Sequence, residues 1–252
     1  MQKQKPILLA ELVRGLEMTK QHIVHAFDAE LTQLENLITE MGGRVEQQLD
    51  KSITALIDYN VELAKEVIAN DKIIDQLELE IAKRATRIFA IRQPMADDLR
   101  AIVAALKISS NLERMGDYAK NISKRTITLS KVPLLSITGK SVRRMGELVA
   151  AMIQDVLDAY VTRDADKALV VMAKDEEVDQ LHTSLFREIL TYMMEDPRNI
   201  TACTHLLFIS KNVERAGDHA TNIAEQVYYI KTGQYVDEAR PKADTSPSIV
   251  VE

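Results

Sequence analysis

The phrase "NLERMGDYAKNI" at residues 111–122 returns as "NVERAGDHATNI" at residues 212–223. Asn111 aligns with Asn212, Glu113 with Glu214, Asp117 with Asp218 and Asn121 with Asn222, all at an offset of 101. A second match lies upstream. "AKEVIANDKIIDQLE" at 64–78 aligns with "ALVVMAKDEEVDQLH" at 168–182, pairing Asp71 with Asp175 and Asp75 with Asp179 at an offset of 104. The second copy is therefore three residues shorter between the two landmarks, which places the deletion near Pro94 and Pro197, where a loop tolerates it. The chain reads as two homologous halves. Two copies fall short of the roughly three that a solenoid needs, so they predict a pair of similar domains. Their join lies near "SKVPLLSITGK" at 130–140, where Pro133 and Gly139 interrupt helical spacing.

Within each half the period is helical. Ile74, Leu77, Ile81 and Ile88 form one stripe. "PMADDLR" opens a further helix, with Leu99, Ile102, Val103 and Leu106 on one side. Ile108, Leu112, Met115, Ala119 and Ile122 fall on roughly the opposite side, as expected of a helix packed between neighbours. "EMGGRVEQQLDKSITALIDYNVELA" reads as a long first helix with a weak point at Gly42-Gly43. With 8 glycines and 6 prolines in 252 residues, long helices can run unbroken. No alternating strand pattern occurs. The expected fold class is all-α: two tandem homologous three-helix bundles without a β-sheet, each with a short extra helix around 60–69 and 164–173. The first bundle spans 20–129, a linker 130–138 and the second bundle 139–232. From 233 to 252 the periodicity lapses, and a mobile tail is expected.

The formal net charge of −6 argues against nucleic acid as a partner, because binding to it depends on a basic surface. One cysteine, Cys203, permits no internal disulfide and no cysteine-held metal. The apolar run Ile7–Ala10 is too short for a signal-peptide core, and no stretch approaches the roughly 20 apolar residues of a membrane span. These features predict a cytoplasmic protein without direct membrane insertion.

Four acidic pairs stand at i, i+4: Asp71/Asp75, Glu113/Asp117, Asp175/Asp179 and Glu214/Asp218. Residues four apart share a helix face, and like charges there repel at a cost of a few tenths of a kcal/mol. A hard cation would offset that repulsion, since carboxylates suit Mg²⁺, Mn²⁺ and iron and two facing helices can supply four of them. Asn121 and Asn222 extend the stripe by one turn as supporting groups. Gly116 and Gly217 sit inside the pairs, each at roughly 1 kcal/mol against alanine, as if something approaches that backbone. Arg114 and Arg215 follow the glutamates as candidate charge partners. The site is expected to be partly exposed, at the rim of the bundle rather than buried, and the competing account is a simply solvated acidic face.

Catalytic machinery is not evident. Asp179-x-x-His182 is half of a di-iron motif, but its counterpart is Asp75-x-x-Glu78. His22, His25, His205 and His219 form no ligand pattern, and Cys203 aligns with Ile102, a core position. There is no glycine-rich phosphate loop and no dinucleotide motif.

"ERMGDYAKNI" and "ERAGDHATNI" share the pattern E-R-x-G-D-x-x-x-N-I, which resembles the PhoU family. "RQPMADDLR" (92–100), "LKISSNLERMGD", "FDAEL" (27–31) and "MGGRVEQQLDKSITAL" (41–56) extend the resemblance over about residues 20–232. It implies a cytoplasmic, non-enzymatic regulator of phosphate homeostasis built from two three-helix bundles. Such proteins act with the high-affinity phosphate ABC transporter, through its ATPase subunit, and with a membrane sensor histidine kinase. They restrain uptake and repress the starvation response when phosphate is ample, and often form homodimers. The resemblance also implies metal ions (iron, manganese or magnesium) on Asp71, Asp75, Glu113, Asp117, Asp175, Asp179, Glu214 and Asp218. Asn111 and Asn212 stand where the family often has aspartate, which is expected to lower the charge of each cluster. Asp98 and Arg100 mark a candidate partner surface. The alternatives are a structural adaptor without metal and a di-metal carboxylate bundle enzyme.

Overall fold

The computed structural model describes residues 5–132, 138–236 and 243–249, with residues 5–26 and Thr138 described by backbone alone. Six long helices follow in order: α1 (Lys5–Ile57), α2 (Val61–Arg92), α3 (Ala96–Leu129), α4 (Thr138–Thr162), α5 (Ala165–Glu195) and α6 (Ile200–Thr232). Among the described residues there is no strand. Helices α1–α3 pack as one bundle and α4–α6 as a second, and the bundles meet through α1 against α4 and α3 against α6. The linker segment 133–137 and the tail segments 237–242 and 250–252 lie outside the described residues. None of the described helices is long and apolar enough to cross a membrane.

The turns repeat as the sequence does. Tyr59 and Arg163 adopt left-handed backbone (φ 53° and 54°), and the next residue caps the following helix. Asn60 Oδ1 accepts from Leu63 N–H at 3.0 Å, and Asp164 Oδ1 accepts from Lys167 N–H at 2.9 Å. From those caps α2 and α5 run unbroken, because neither contains glycine or proline. The separate short helices expected around 60–69 and 164–173 are thus the first turns of α2 and α5. The halves differ at the connection before α3 and α6: a left-handed Gln93 with Pro94 in one, a 3₁₀ turn Pro197–Asn199 in the other.

Gly42-Gly43 is no weak point either, since α1 passes straight through it. A Cβ at Gly42 would overlap the Leu157 side chain, and a Cβ at Gly146 would overlap Ile53. Gly42 matches Gly146 and Ile53 matches Leu157, both at the offset of 104. The same contact is made twice, reciprocally, as in an isologous dimer interface. The two halves are therefore related by a pseudo-two-fold axis, with Val45, Leu49, Val149 and Ile153 fully buried along α1 and α4.

Candidate functional site

In the first half, α2 supplies Asp71 and α3 supplies Glu113 and Asp117. Gly116 brings the helices together: a Cβ there would stand 2.9 Å from Ile74 Cδ1 and 3.7 Å from Asp71 Oδ1. The group that approaches the glycine backbone is thus the neighbouring helix. Asp71 is 4% exposed, Glu113 and Asp117 are half-buried, and Asp75 faces solvent. Lys120 reaches into this group. Its ammonium donates to Asp71 Oδ2 at 2.5 Å and to Asp117 Oδ1 at 3.1 Å. Burial raises the Asp71 pKa, with Lys120 opposing it, while the hydrogen bond to Asp71 pushes the Lys120 ammonium pKa up. Arg114, largely exposed, stands 3.7 Å from Glu113 and 4.0 Å from Asp117.

The second half repeats the helices but not the surroundings. Gly217 lets α5 approach, with Asp175 Oδ1 and Val178 Cγ1 both 3.4 Å from a Cβ placed there. Asp175 and Asp179 are 3% exposed and Glu214 is 5% exposed, so this cluster is buried rather than at the rim. Lys211 Nζ donates to Glu214 Oε1 at 2.7 Å and to Asp244 Oδ2 at 3.0 Å. Glu214 Oε2 is buried with no hydrogen-bond partner, and burial pushes the Glu214 carboxyl up to about 7 against the pull of Lys211. His182, 2% exposed, is held below its usual value by burial, and its Nδ1 has no hydrogen-bond partner. The tail accounts for part of the burial: Ala243 and Asp244 N–H both donate to Asp179 Oδ2, at 2.9 and 3.2 Å. Part of the segment expected to be mobile is therefore docked.

Each cluster thus holds a lysine ammonium. The two lysines come from different repeat positions: Lys120 aligns with Thr221, and Lys211 with Ser110. Comparing the two copies hides both, which is why repeat-based reasoning missed them. The only sequence signal is local, an acid three residues from each lysine. Among the described residues, no three His, Cys, Asp or Glu converge to hold a metal ion. As folded, the carboxylates are arranged around lysine.

The supporting residues fall elsewhere. Asn121 is exposed. Asn222 Nδ2 donates to Asn111 Oδ1 at 3.2 Å, across the interface between the halves. His219 Nδ1 also reaches Asn111 Oδ1, at 2.7 Å, and Tyr118 Oη lies 3.0 Å from His219 Nε2. Asn111 therefore acts in the interface between the halves. Arg215 is exposed. Asp98 lines a cleft of about 440 Å³ between the halves, with Asp97, Glu35, Arg163 and Lys231. Arg100 pairs with Asp97 and lies against Gly233, where its Cζ would be 3.5 Å from a Cβ.

The chain matches the PhoU domain twice, over residues 38–126 and 142–227. It is 50% identical over 224 residues to a phosphate-specific transport system accessory protein PhoU homolog of Caulobacter vibrioides, covering 89% of this chain and 97% of that protein. A homolog of the same name from Rhizobium meliloti is 47% identical over 232 residues, 92% of this chain and 98% of that one. The crystal structure of PhoU from Pseudomonas aeruginosa, 41% identical, superposes with a TM-score of 0.80 over 82% of this chain and 100% of that chain. The phosphate transport system regulatory protein PhoU from Streptococcus pneumoniae, 33% identical, gives 0.78 over 84% and 100%.

Proposed function

The chain belongs to the PhoU family, and from that premise we propose that it is a non-enzymatic, cytoplasmic regulator acting with a phosphate-specific ABC transporter. The observation that carries this reading is the double domain match. It spans both bundles, and relatives about half identical along nearly their whole length are named for phosphate transport. In this reading the protein contacts the transporter's ATPase subunit and a membrane sensor histidine kinase. It restrains phosphate uptake and the starvation response when phosphate is ample, and a homodimer is the proposed functional form. The cleft between the halves, with Asp98 on its wall and Arg100 beside it, is the proposed partner surface. It combines charges of both signs and is formed only when the two bundles are together.

Cells lacking the chain test this. Radiolabelled phosphate uptake and a starvation-responsive reporter should both rise in rich phosphate and return to normal on complementation. Unchanged uptake and reporter output would overturn the reading.

A second reading concerns the carboxylates, and buried Glu214 Oε2 without a hydrogen-bond partner favours it. We propose that iron, manganese or magnesium can bind the eight carboxylates, but only where Lys120 and Lys211 give way. The lysines form the resting counter-charge, and they set the affinity of each cluster by competing for its oxygens.

A further inference from the structure

The two carboxylate clusters descend from one sequence, yet one is open and the other is covered. The cover is the chain's own C-terminal segment, residues 243–249. Two consecutive backbone N–H groups, Ala243 and Asp244, converge on Asp179 Oδ2 at 2.9 and 3.2 Å, the way successive amides cradle an anion. The Asp244 carboxylate turns back to Lys211 Nζ at 3.0 Å and accepts from Ser246 N–H at 2.9 Å. Thr245 N–H donates to Thr183 Oγ1 at 3.2 Å, and a 3₁₀ turn over Ser246–Ser248 follows. Burial opposes ionisation of Asp244, but the hydrogen bonds from Ser246 and the Lys211 ion pair hold its carboxyl down at about 2.

Two of the three residues that grip this segment stand where the second repeat departs from the first. Lys211 stands where the first repeat has Ser110, and Thr183 where it has the exposed Leu79. Asp179 is shared, but its counterpart Asp75 faces solvent. Chain length is also suited to the task. Lys211 lies about 30 Å back along α6 from Thr232 at 1.5 Å per residue. The residues from Thr232 to Asp244 can span about 40 Å when extended. The connection is therefore long enough to reach, and it keeps the segment at high effective concentration.

We propose that residues 243–249 form an intramolecular strap that closes the carboxylate cluster of the second repeat and leaves that of the first open. Whatever enters the second cluster, cation or partner segment, must first displace Asp244 from Lys211 and the strap amides from Asp179. The proposal stands whether or not either cluster takes a metal.

The test uses the full chain with Ser248→Cys carrying a nitroxide. Ser248 is exposed, and the native Cys203 is fully buried, so the label goes to the strap. The parent should give a motionally restricted spectrum. Asp244→Ala and Asp179→Asn should each turn it into a mobile one, a several-fold rise in the mobile fraction, with helix content by circular dichroism unchanged. Asp75→Asn, the matching change in the first repeat, should leave the spectrum restricted. A mobile label already in the parent, a label still restricted in Asp244→Ala, or release by Asp75→Asn would each overturn the proposal. Should Asp179→Asn fail to fold, the tail variant Asp244→Ala decides alone.

Discussion

Tyr118 Oη lies 3.0 Å from His219 Nε2, and the two residues occupy the same position in the two repeats, 101 apart. They meet across the pseudo-two-fold axis. His219 Nδ1 faces Asn111 Oδ1, an acceptor, at 2.7 Å, so Nδ1 carries the proton in the neutral ring. Nε2 then accepts, and Tyr118 O–H donates. This polar chain gives the interface a register that apolar packing alone does not supply.

The first prediction concerns this pair. Tyr118→Phe should cost about 1 kcal/mol, the net worth of one hydrogen bond. His219→Gln should cost a similar amount. Because both remove the same contact, the double variant should fall short of the sum by a measurable coupling energy in urea unfolding. Strict additivity would mean that the bond contributes nothing.

Three glycines in the paired α1 and α4 helices should respond oppositely to alanine. Gly42→Ala and Gly146→Ala push a methyl into Leu157 and Ile53, both buried, and each should destabilise by about 1–3 kcal/mol. Gly43 has nothing within 4 Å of its added Cβ, so Gly43→Ala should stabilise by about 0.5–1 kcal/mol through helix propensity. Thermal melts of the three single variants check both signs.

These glycines show how much of the fold was legible. The duplication, the helical period and the all-α class all follow from residues 64–78 and 111–122 and their copies. The roles of Gly42 and Gly43 do not, because a helix-breaking pair and a close-approach position look alike until the facing helix is known. For the candidate site, the repeat placed the acidic helices and their glycines. It concealed the lysines, since a cation supplied by Lys120 in one half and by Lys211 in the other has no repeat signature. The strap was invisible for a different reason. Its anchors are mainly backbone amides of residues 243–245, which carry no motif.

The pH dependence of stability should carry the signature of Glu214. Its folded pKa, about 7, lies above the ordinary value of 4.5, so between these values the native state binds more protons than the unfolded one. Stability attributable to this group should therefore fall as pH rises from about 4.5 to about 7 and level off above, by at most about 3 kcal/mol. Asp244 acts oppositely and lower down. Its depressed pKa contributes stability above its ordinary 3.8 that is lost as pH falls through about 2. Urea midpoints measured with chelator across pH 4.5–8 should slope downward in the parent, and Glu214→Gln should flatten the slope.

Removing Lys120 should expose the cost of the first cluster. Asp71 is nearly buried, and without the ammonium its charge is uncompensated. Lys120→Met should destabilise by about 1–3 kcal/mol, and adding Asp71→Asn should recover much of that loss.

The most direct measurement is divalent-cation binding by calorimetry, with elemental analysis after dialysis, for the parent, Lys120→Ala, Lys211→Ala and the double variant. If lysine is the resting counter-charge of both clusters, the parent binds manganese or magnesium weakly, each single variant gains affinity by about tenfold or more, and the double variant gains at two sites. Stoichiometric, tight metal in the parent with no change on removing either lysine would contradict the account. So would lysine variants that bind no cation, which would leave the acidic clusters as structural or docking charge alone.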